Sequence, residues 1–385
     1  MNHPMIYADH AATTPLAPEV LAAMMPYLTE YYGNASSPHA MGQASQIAVD
    51  RARDEVAAVF GCTSAEVIFT GGGSEGDNLA IKGAALTYLQ AHGTAHVVVS
   101  AIEHHAVLHA AEALQRHGVT LTVVPVDGDG VVSAAAVAAA LRPDTAVVSV
   151  MYANNEIGTI EPIKEIAAVC KSHNVLFHCD AVQAAGLLPL NVHELGVDVL
   201  TMTAHKCYGP KGVGAMYIRR GAVLFPQIHG GAQERRRRAG TENVAGIVGL
   251  ATALTIAESK RTVEVARLTP LRDALIAGIA GELAGVRVTG HPSNRLANNA
   301  SFVIDGIDGD SLLIMLDQRG ICASSGSACT SGSLEPSHVL AAIGAIGSDV
   351  QAALRLTLGR STQPADVEWV ITQVAQVLEL LRRAQ

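Results

Sequence analysis

Between residues 67 and 218, seven short, mostly apolar runs alternate with Ala-rich stretches, most of them of helical length. The runs are Val67–Thr70, His96–Ser100, Thr120–Val126, Ala146–Met151, Leu176–His178, Val199–Thr201 and Gly214–Ile218. Between them lie Leu79–His92, Ala106–His117, Ser133–Leu141, Ile163–His173 and the shorter Val182–Leu187. A strand that is apolar on both faces must be covered on both, and intervening helices supply that cover. The pattern predicts an α/β fold: a large domain with a mostly parallel seven-stranded sheet between helices. Right-handed crossovers then place the loops after the strands along one sheet edge, where such folds bind ligands.

The pattern shifts near Ser259–Val265. After it come a long helix around Leu268–Leu283, strands at Val286–Thr289 and Ala300–Ile304, and a helix at Asp310–Arg319. A Ser/Gly-rich loop and a last helix, Ala365–Arg383, complete a smaller α+β domain. The expected division is residues 15–260 for the large domain, with 1–14 and 261–385 forming the small one.

Only 16% of the 385 residues are charged, against a usual share of about 25%. That scarcity points to much buried surface, a subunit interface included. With 49% hydrophobic residues the chain is not intrinsically disordered. A net charge of −9 argues against broad attraction to nucleic acid or to an anionic membrane. The N-terminus shows no secretory pattern, and Val244–Ala257 is too short to span a bilayer, so a cytoplasmic location is expected. The cysteines, Cys62, Cys170, Cys179, Cys207, Cys322 and Cys329, form neither a disulfide scaffold nor a paired zinc motif.

Four segments carry chemistry. Phe69-Thr70-Gly71-Gly72-Gly73-Ser74-Glu75-Gly76 follows a strand and opens a helix, a place where backbone N–H groups and the helix dipole receive an anion. Without a terminal Lys-Ser/Thr it is no Walker A loop, and its spacing is not a Rossmann fingerprint. Thr203-Ala204-His205-Lys206 places a lysine after an apolar strand, where partial burial makes an amine nucleophile. Phe177-His178-Cys179-Asp180 ends another strand in a carboxylate able to pair with a protonated ring nitrogen, as pyridoxal phosphate requires. Plainer readings stand beside these: a turn, a phosphate-contacting or surface lysine, a helix-capping aspartate. Asp180 and Lys206 at the ends of successive strands, downstream of a glycine-rich turn, favour the cofactor. Finally, Ser324-Ser325-Gly326-Ser327-Ala328-Cys329-Thr330-Ser331 sets one thiol in a small, polar loop rather than among apolar residues. Cys170, Cys179, Cys207 and Cys322 read instead as buried small hydrophobes. His105 and His109 have a metal-ligand spacing, but no third ligand is evident and no metal is expected.

With these segments in view, the chain resembles the cysteine desulfurases, the NifS/IscS-like group of the class V aminotransferase fold. The resemblance runs from Tyr7-Ala8-Asp9-His10-Ala11-Ala12-Thr13-Thr14 to Leu354-Arg355-Leu356-Thr357-Leu358-Gly359-Arg360. It includes Glu103-His104-His105, Asn154-Asn155-Glu156-Ile157-Gly158 and Arg238-Ala239-Gly240-Thr241-Glu242-Asn243. It implies that Lys206 holds pyridoxal phosphate covalently, that His104 stacks on its ring, and that Asp180 pairs with the ring nitrogen. Asn155 and Gln183 would contact the ring hydroxyl. Gly73, Ser74, Thr203 and His205 would hold the phosphate, reached by Thr241 from the neighbouring subunit of a homodimer. Arg355 would bind the carboxylate of L-cysteine, with Asn34 nearby, and Cys329 in the small domain would take the sulfur as a persulfide, leaving alanine. The sulfur would then pass to an acceptor protein such as an iron–sulfur scaffold.

Departures are few. Gly73-Ser74-Glu75-Gly76 stands where the family usually shows Ala-Thr-Glu-Ser, and Ser74 keeps the hydroxyl. Thr203 replaces a common Ser, and Arg236 a common Gly, giving Arg235-Arg236-Arg237-Arg238. On so acidic a chain that run reads as a solvated or interface patch rather than an RNA site. The competing functions are a selenocysteine lyase or another class V enzyme and, less favoured, a non-catalytic sulfur-transfer scaffold.

Overall fold

A computed structural model describes residues 5–325, 337–345 and 351–383. Its strands, in chain order, are β1 (Ile6–Tyr7), β2 (Val67–Thr70), β3 (His96–Ser100), β4 (Thr120–Val124), β5 (Thr145–Ser149) and β6 (Leu176–Asp180). There follow β7 (Val199–Thr203), β8 (Gly214–Ile218), β9 (Val286–Val288), β10 (Asn299–Asp305), β11 (Ile321–Cys322) and β12 (Gln351–Thr357). Seven of them form one sheet in the order β2-β8-β7-β6-β5-β3-β4. Six strands run in one direction; β8 alone opposes them, antiparallel to both of its neighbours. The seven expected runs are thus the seven strands of one sheet, with β6 and β7 each two residues longer than the sequence suggests.

The sheet is covered on both faces, as the apolar strands require. Val67, Phe69, Val148, Phe177, Leu200 and Met202 face one core, which continues into the helix Val244–Ala280. Ile68, Val97, Val99, Val147 and Met216 face another, against the helices Gly73–His92 and His105–Leu114. A third core lies under the three-stranded sheet β12-β10-β9, where Phe302, Leu354 and Leu356 meet Leu275, Ile279 and Val374.

Two expectations fail. Val182–Leu187 is a chain of turns, not a helix: Ala184 bonds Ala181, Leu187 and Leu188 both bond Ala184, and Gly186 takes φ 75°. The break near Ser259–Val265 is absent, and one helix runs unbroken from Val244 to Ala280. The polar stretch that reads as a boundary is a solvated helical surface, stitched by the i,i+3 pairs Arg261–Glu258 and Arg267–Glu264. The sequence reading also omits the helices Pro18–Thr29 and Ala40–Phe60 and strand β12.

Distant segments are tied together at the site. Strand β1 pairs in parallel with β11, and Thr357 N donates to Ala8 O at 2.7 Å. On the other side, Glu234 is buried and receives a two-pronged ion pair from Arg53 at 2.7 and 2.8 Å, plus the Phe69 N–H at 3.0 Å. That anchor holds Glu234, Arg235 and Arg236 at φ 44°, 57° and 64°, in the left-handed region. Arg238 pairs with Glu75 at 2.9 Å and Arg235 donates to Val67 O at 3.2 Å. Part of the arginine run is therefore committed to internal contacts. Among the described residues, no helix is long and apolar enough to cross a membrane.

Candidate active site

The carboxyl ends of β3, β5, β6 and β7 open onto a cavity of about 250 Å³. Ten residues expected to act together line it: Gly73, Ser74, His104, Asn155, Asp180, Gln183, Thr203, His205, Lys206 and Arg355. They come from helix starts, strand ends, turns (Asn155 and Gln183) and, for Arg355, the middle of β12. Position at the end of a buried strand is what fixes most of them, because the strand itself cannot move.

Lys206 closes a single 3-10 turn, Ala204–Lys206, directly after β7. Its Nζ donates to the carbonyl oxygens of Ala11 and Ala12, the latter at 2.7 Å. Gln183 Nε2 also donates to Ala11 O, at 3.0 Å. The segment 11–12 thus forms one wall of the cavity and orients the amine.

Asp180 ends β6 and is buried; its Oδ1 accepts from Val182 N at 2.9 Å. Burial raises its affinity for a proton, while that hydrogen bond and the Lys206 ammonium oppose the rise. His104 caps the helix His105–Leu114, its Nδ1 accepting from Ala106 N at 3.1 Å. Burial first, then the Lys206 charge, push it down to about 4, so the imidazole is neutral at pH 7 with its proton on Nε2. His205, bonded through Nδ1 to Thr13 Oγ1 at 3.1 Å, is likewise pushed down to about 4 by burial, Lys206 and Lys211.

Gly73 and Ser74 begin the 20-residue helix Gly73–His92. Its first-turn amides have no helical acceptor, and they face an adjoining pocket shared with Thr203, His205, Lys211 and Gly212. A Cβ on Gly73 would lie 2.8 Å from Val182 Cγ2, so the turn packs directly on the residue that follows Asp180 and Ala181. Arg355, 1% exposed, pairs with Asp9 at 2.7 Å and donates to Asn155 O at 3.1 Å.

Two expected residues, Asn34 and Thr241, do not line this cavity. Asn34 Oδ1 accepts from Ser36 N at 2.9 Å in a local turn. Thr241 lines a separate pocket with Phe69, Gly71, Arg238 and Glu242. Cys329 lies outside the described residues. Among the described cysteines, Cys170, Cys179 and Cys207 are buried as expected, whereas Cys322 is only partly so. Burial pushes the thiols of Cys62, Cys170 and Cys207 up to about 12 and raises those of Cys179 and Cys322.

The sequence reading missed several residues that line the cavity: Ala11, Ala12, Asp77, Glu156 and His338. Asp77 had a usable signal, since it lies four residues after Gly73 on the same helix face. Nothing local marks Glu156 or His338; Ser337 donates to Glu156 at 2.5 Å and His338 Nε2 meets Glu103 O at 2.9 Å.

The donor set fits pyridoxal phosphate on its own terms. One end offers a helix start, hydroxyls and imidazole for a phosphate; the other offers a buried carboxylate for a cationic nitrogen; an amine stands between them.

Comparison with known proteins agrees with this chemistry. A family model described as aminotransferase class-V matches residues 6–370. A relative from Dictyoglomus turgidum named cysteine desulfurase IscS is 47% identical over 377 residues, spanning 98% of this chain and 95% of the relative. One of the same name from Methanosarcina thermophila is also 47% identical, with 98% and 93% covered. Among solved structures, a NifS-like protein superposes with a TM-score of 0.91 at 35% identity, covering 98% of this chain and 100% of its own. The structure titled SspA in complex with cysteine gives 0.78 at 34%, with 91% and 98% covered.

Proposed function

The chain belongs to the class-V aminotransferase family, and from that premise we propose that it is a pyridoxal-phosphate-dependent cysteine desulfurase. The observation that carries this reading is the single cavity shared by Lys206, Asp180, His104 and Arg355. L-cysteine is converted to L-alanine, and its sulfur leaves as a persulfide on Cys329.

The cofactor, when bound, serves as the electron sink for the substrate's Cα. The chain's own residues do the rest. Gly73, Ser74, Thr203 and His205 bind the phosphate; Asp180 holds the proton of the ring nitrogen; Asn155 and Gln183 address the ring hydroxyl. His104, a neutral imidazole locked by its Nδ1 bond to Ala106, would stack on the ring when the cofactor is bound and exclude water from it. Arg355 binds the substrate carboxylate, and the fixed guanidinium sets which substrate atom faces Lys206. Lys206 Nζ moves the Cα proton. The Cys329 thiolate attacks the substrate sulfur: an S–S bond forms, the Cβ–S bond breaks, and its electron pair ends in alanine after protonation. Burial raises the proton affinity of every described thiol, which supports Cys329 as the nucleophile.

The enzyme acts as a cytoplasmic homodimer, with Thr241 of each chain reaching the phosphate of the other and Asn34 lying near the substrate. The exposed Leu21, Met25, Leu28, Tyr31 and Tyr32 along one helix and its end support a subunit contact. The persulfide passes to a sulfur-acceptor protein of iron–sulfur assembly. The test is equimolar alanine and persulfide from L-cysteine, with loss of both in Cys329→Ala despite retained cysteine binding. Normal alanine release by that variant overturns the persulfide assignment.

A further inference from the structure

Five ionisable or relay-competent side chains lie sealed beneath the cavity, and the reaction described above uses only one of them. Asp77, 1% exposed, projects from the first turns of the helix Gly73–His92 into the same cavity as Asp180. Its Oδ1 has no hydrogen-bond partner and stands 3.7 Å from His178 Nε2. His178 is fully buried, with Nε2 2.9 Å from Thr201 Oγ1 and Nδ1 2.8 Å from Ser149 Oγ. Ser149 Oγ in turn lies 3.4 Å from Glu103 Oε2. Glu103 is fixed by Ser100 Oγ at 2.5 Å and by Met151 N at 2.8 Å. A buried polar line therefore runs from His178 through Ser149 to Glu103, with Asp77 Oδ1 standing 3.7 Å from its near end.

Two carboxylates buried side by side cannot both stay ionised without a cation between them. Lys206 acts on Asp180, whose Oδ1 also accepts a backbone N–H. Asp77 has no such cation: Asp180, Glu103 and a neutral imidazole surround it, and only the Thr201 hydroxyl favours its ionised form. Burial and the Asp180 charge both favour its protonated form. Glu103, pushed up to about 8 by burial, is also neutral at pH 7. A neutral His178 with hydroxyls at both nitrogens can carry either tautomer, so the line accommodates it without a net charge.

We propose that Asp77 is the resident neutral acid of this site, a positioning residue that keeps the one buried negative charge on Asp180, beneath the ring nitrogen of the cofactor. The inference rests on the cofactor reading given above. Asp77 touches no reacting atom; it decides which of two carboxylates is ionised.

Neutron diffraction from the holoprotein tests this without any variant. Expected is a deuteron on the Asp77 carboxyl and none on Asp180. An ionised Asp77, or a deuteron on Asp180, overturns the proposal. A second readout is the pH titration of the bound cofactor's absorbance. Asp77→Asn is as neutral as the protonated acid, so its midpoint should stay within about half a pH unit of wild type. A fall of about one unit or more would mean that a negative charge had been removed, and that Asp77 is ionised. A colourless protein that takes up no cofactor would instead overturn the cofactor reading, so the two failures are distinct.

Discussion

Arg355 and Asp9 meet at 2.7 Å, although 346 residues separate them in the chain. The guanidinium is almost fully buried and the carboxylate is one-fifth exposed. Asp9 thus fixes the side chain proposed to receive the substrate carboxylate. Asp9→Asn should raise KM for L-cysteine about 10- to 100-fold with little change in kcat, the scale of one charge-assisted hydrogen bond. Steady-state kinetics decide it; an equal loss in kcat would assign Asp9 to the chemical step instead.

Gly73 and Val182 form a second pair. The family's usual alanine at position 73 would set its Cβ 2.8 Å from Val182 Cγ2. Gly73→Ala should therefore weaken cofactor retention, by an amount of about 1–3 kcal/mol typical of overpacking. Val182→Ala in the same chain should restore it. Cofactor dissociation measured for both single variants and the double variant gives the coupling, and additive effects would show that the two do not meet.

Glu161 makes stability depend on pH. Its buried carboxyl, bonded to Val132 N at 2.8 Å, is raised from the ordinary 4.5 to about 8, chiefly by burial. Between those values the folded chain holds a proton that the unfolded chain releases, so stability falls as pH rises through the window. Glu161→Gln keeps an acceptor and removes the titration. Its unfolding free energy in urea should fall less than wild type from pH 5 to pH 8, by up to about 1.4 kcal/mol per pH unit. Glu103 contributes the same sign, so the slope is reduced and not abolished. Parallel slopes would contradict the assignment.

The Arg53–Glu234 pair, 8% and 3% exposed, supports three successive left-handed residues. Removing one partner leaves a buried charge alone, so Glu234→Gln should cost about 3–5 kcal/mol in denaturant unfolding. Proteolysis near Arg235 should rise in step. A stable variant with an unchanged digestion pattern would mean that the turn holds itself.

Six of the seven sheet strands were legible because burial on both faces leaves a mostly apolar run; β4, at the sheet edge and largely exposed, is the exception. Asp180 and Lys206 were legible because strand ends are where polar residues interrupt such runs. Val182–Leu187 misled because its composition is helical, whereas the Asp180 carboxylate bonded to Val182 N starts a turn instead. Residues 259–265 misled for the opposite reason: a helix bridging two cores is polar all round at its middle, like a linker. Glu156 and His338 could not be found from sequence, since only packing against Ser337 and Glu103 brings them to the cavity. Asn34 and Thr241 were read from resemblance alone, and within one chain neither lines the Lys206 cavity.

The contact between Asp9 and Arg355 also sets an order of events during biosynthesis. Ribosomes add about 5–20 residues per second, so Asp9 waits on the order of tens of seconds for its partner to be made. Strand β1 waits nearly as long for β11. The amine-orienting wall at Ala11 and Ala12 belongs to the same early segment. A nascent or truncated chain can therefore build the seven-stranded sheet, Lys206 included, and still lack a fixed place for a substrate carboxylate. Competence to act on substrate arrives only once β12 has been translated.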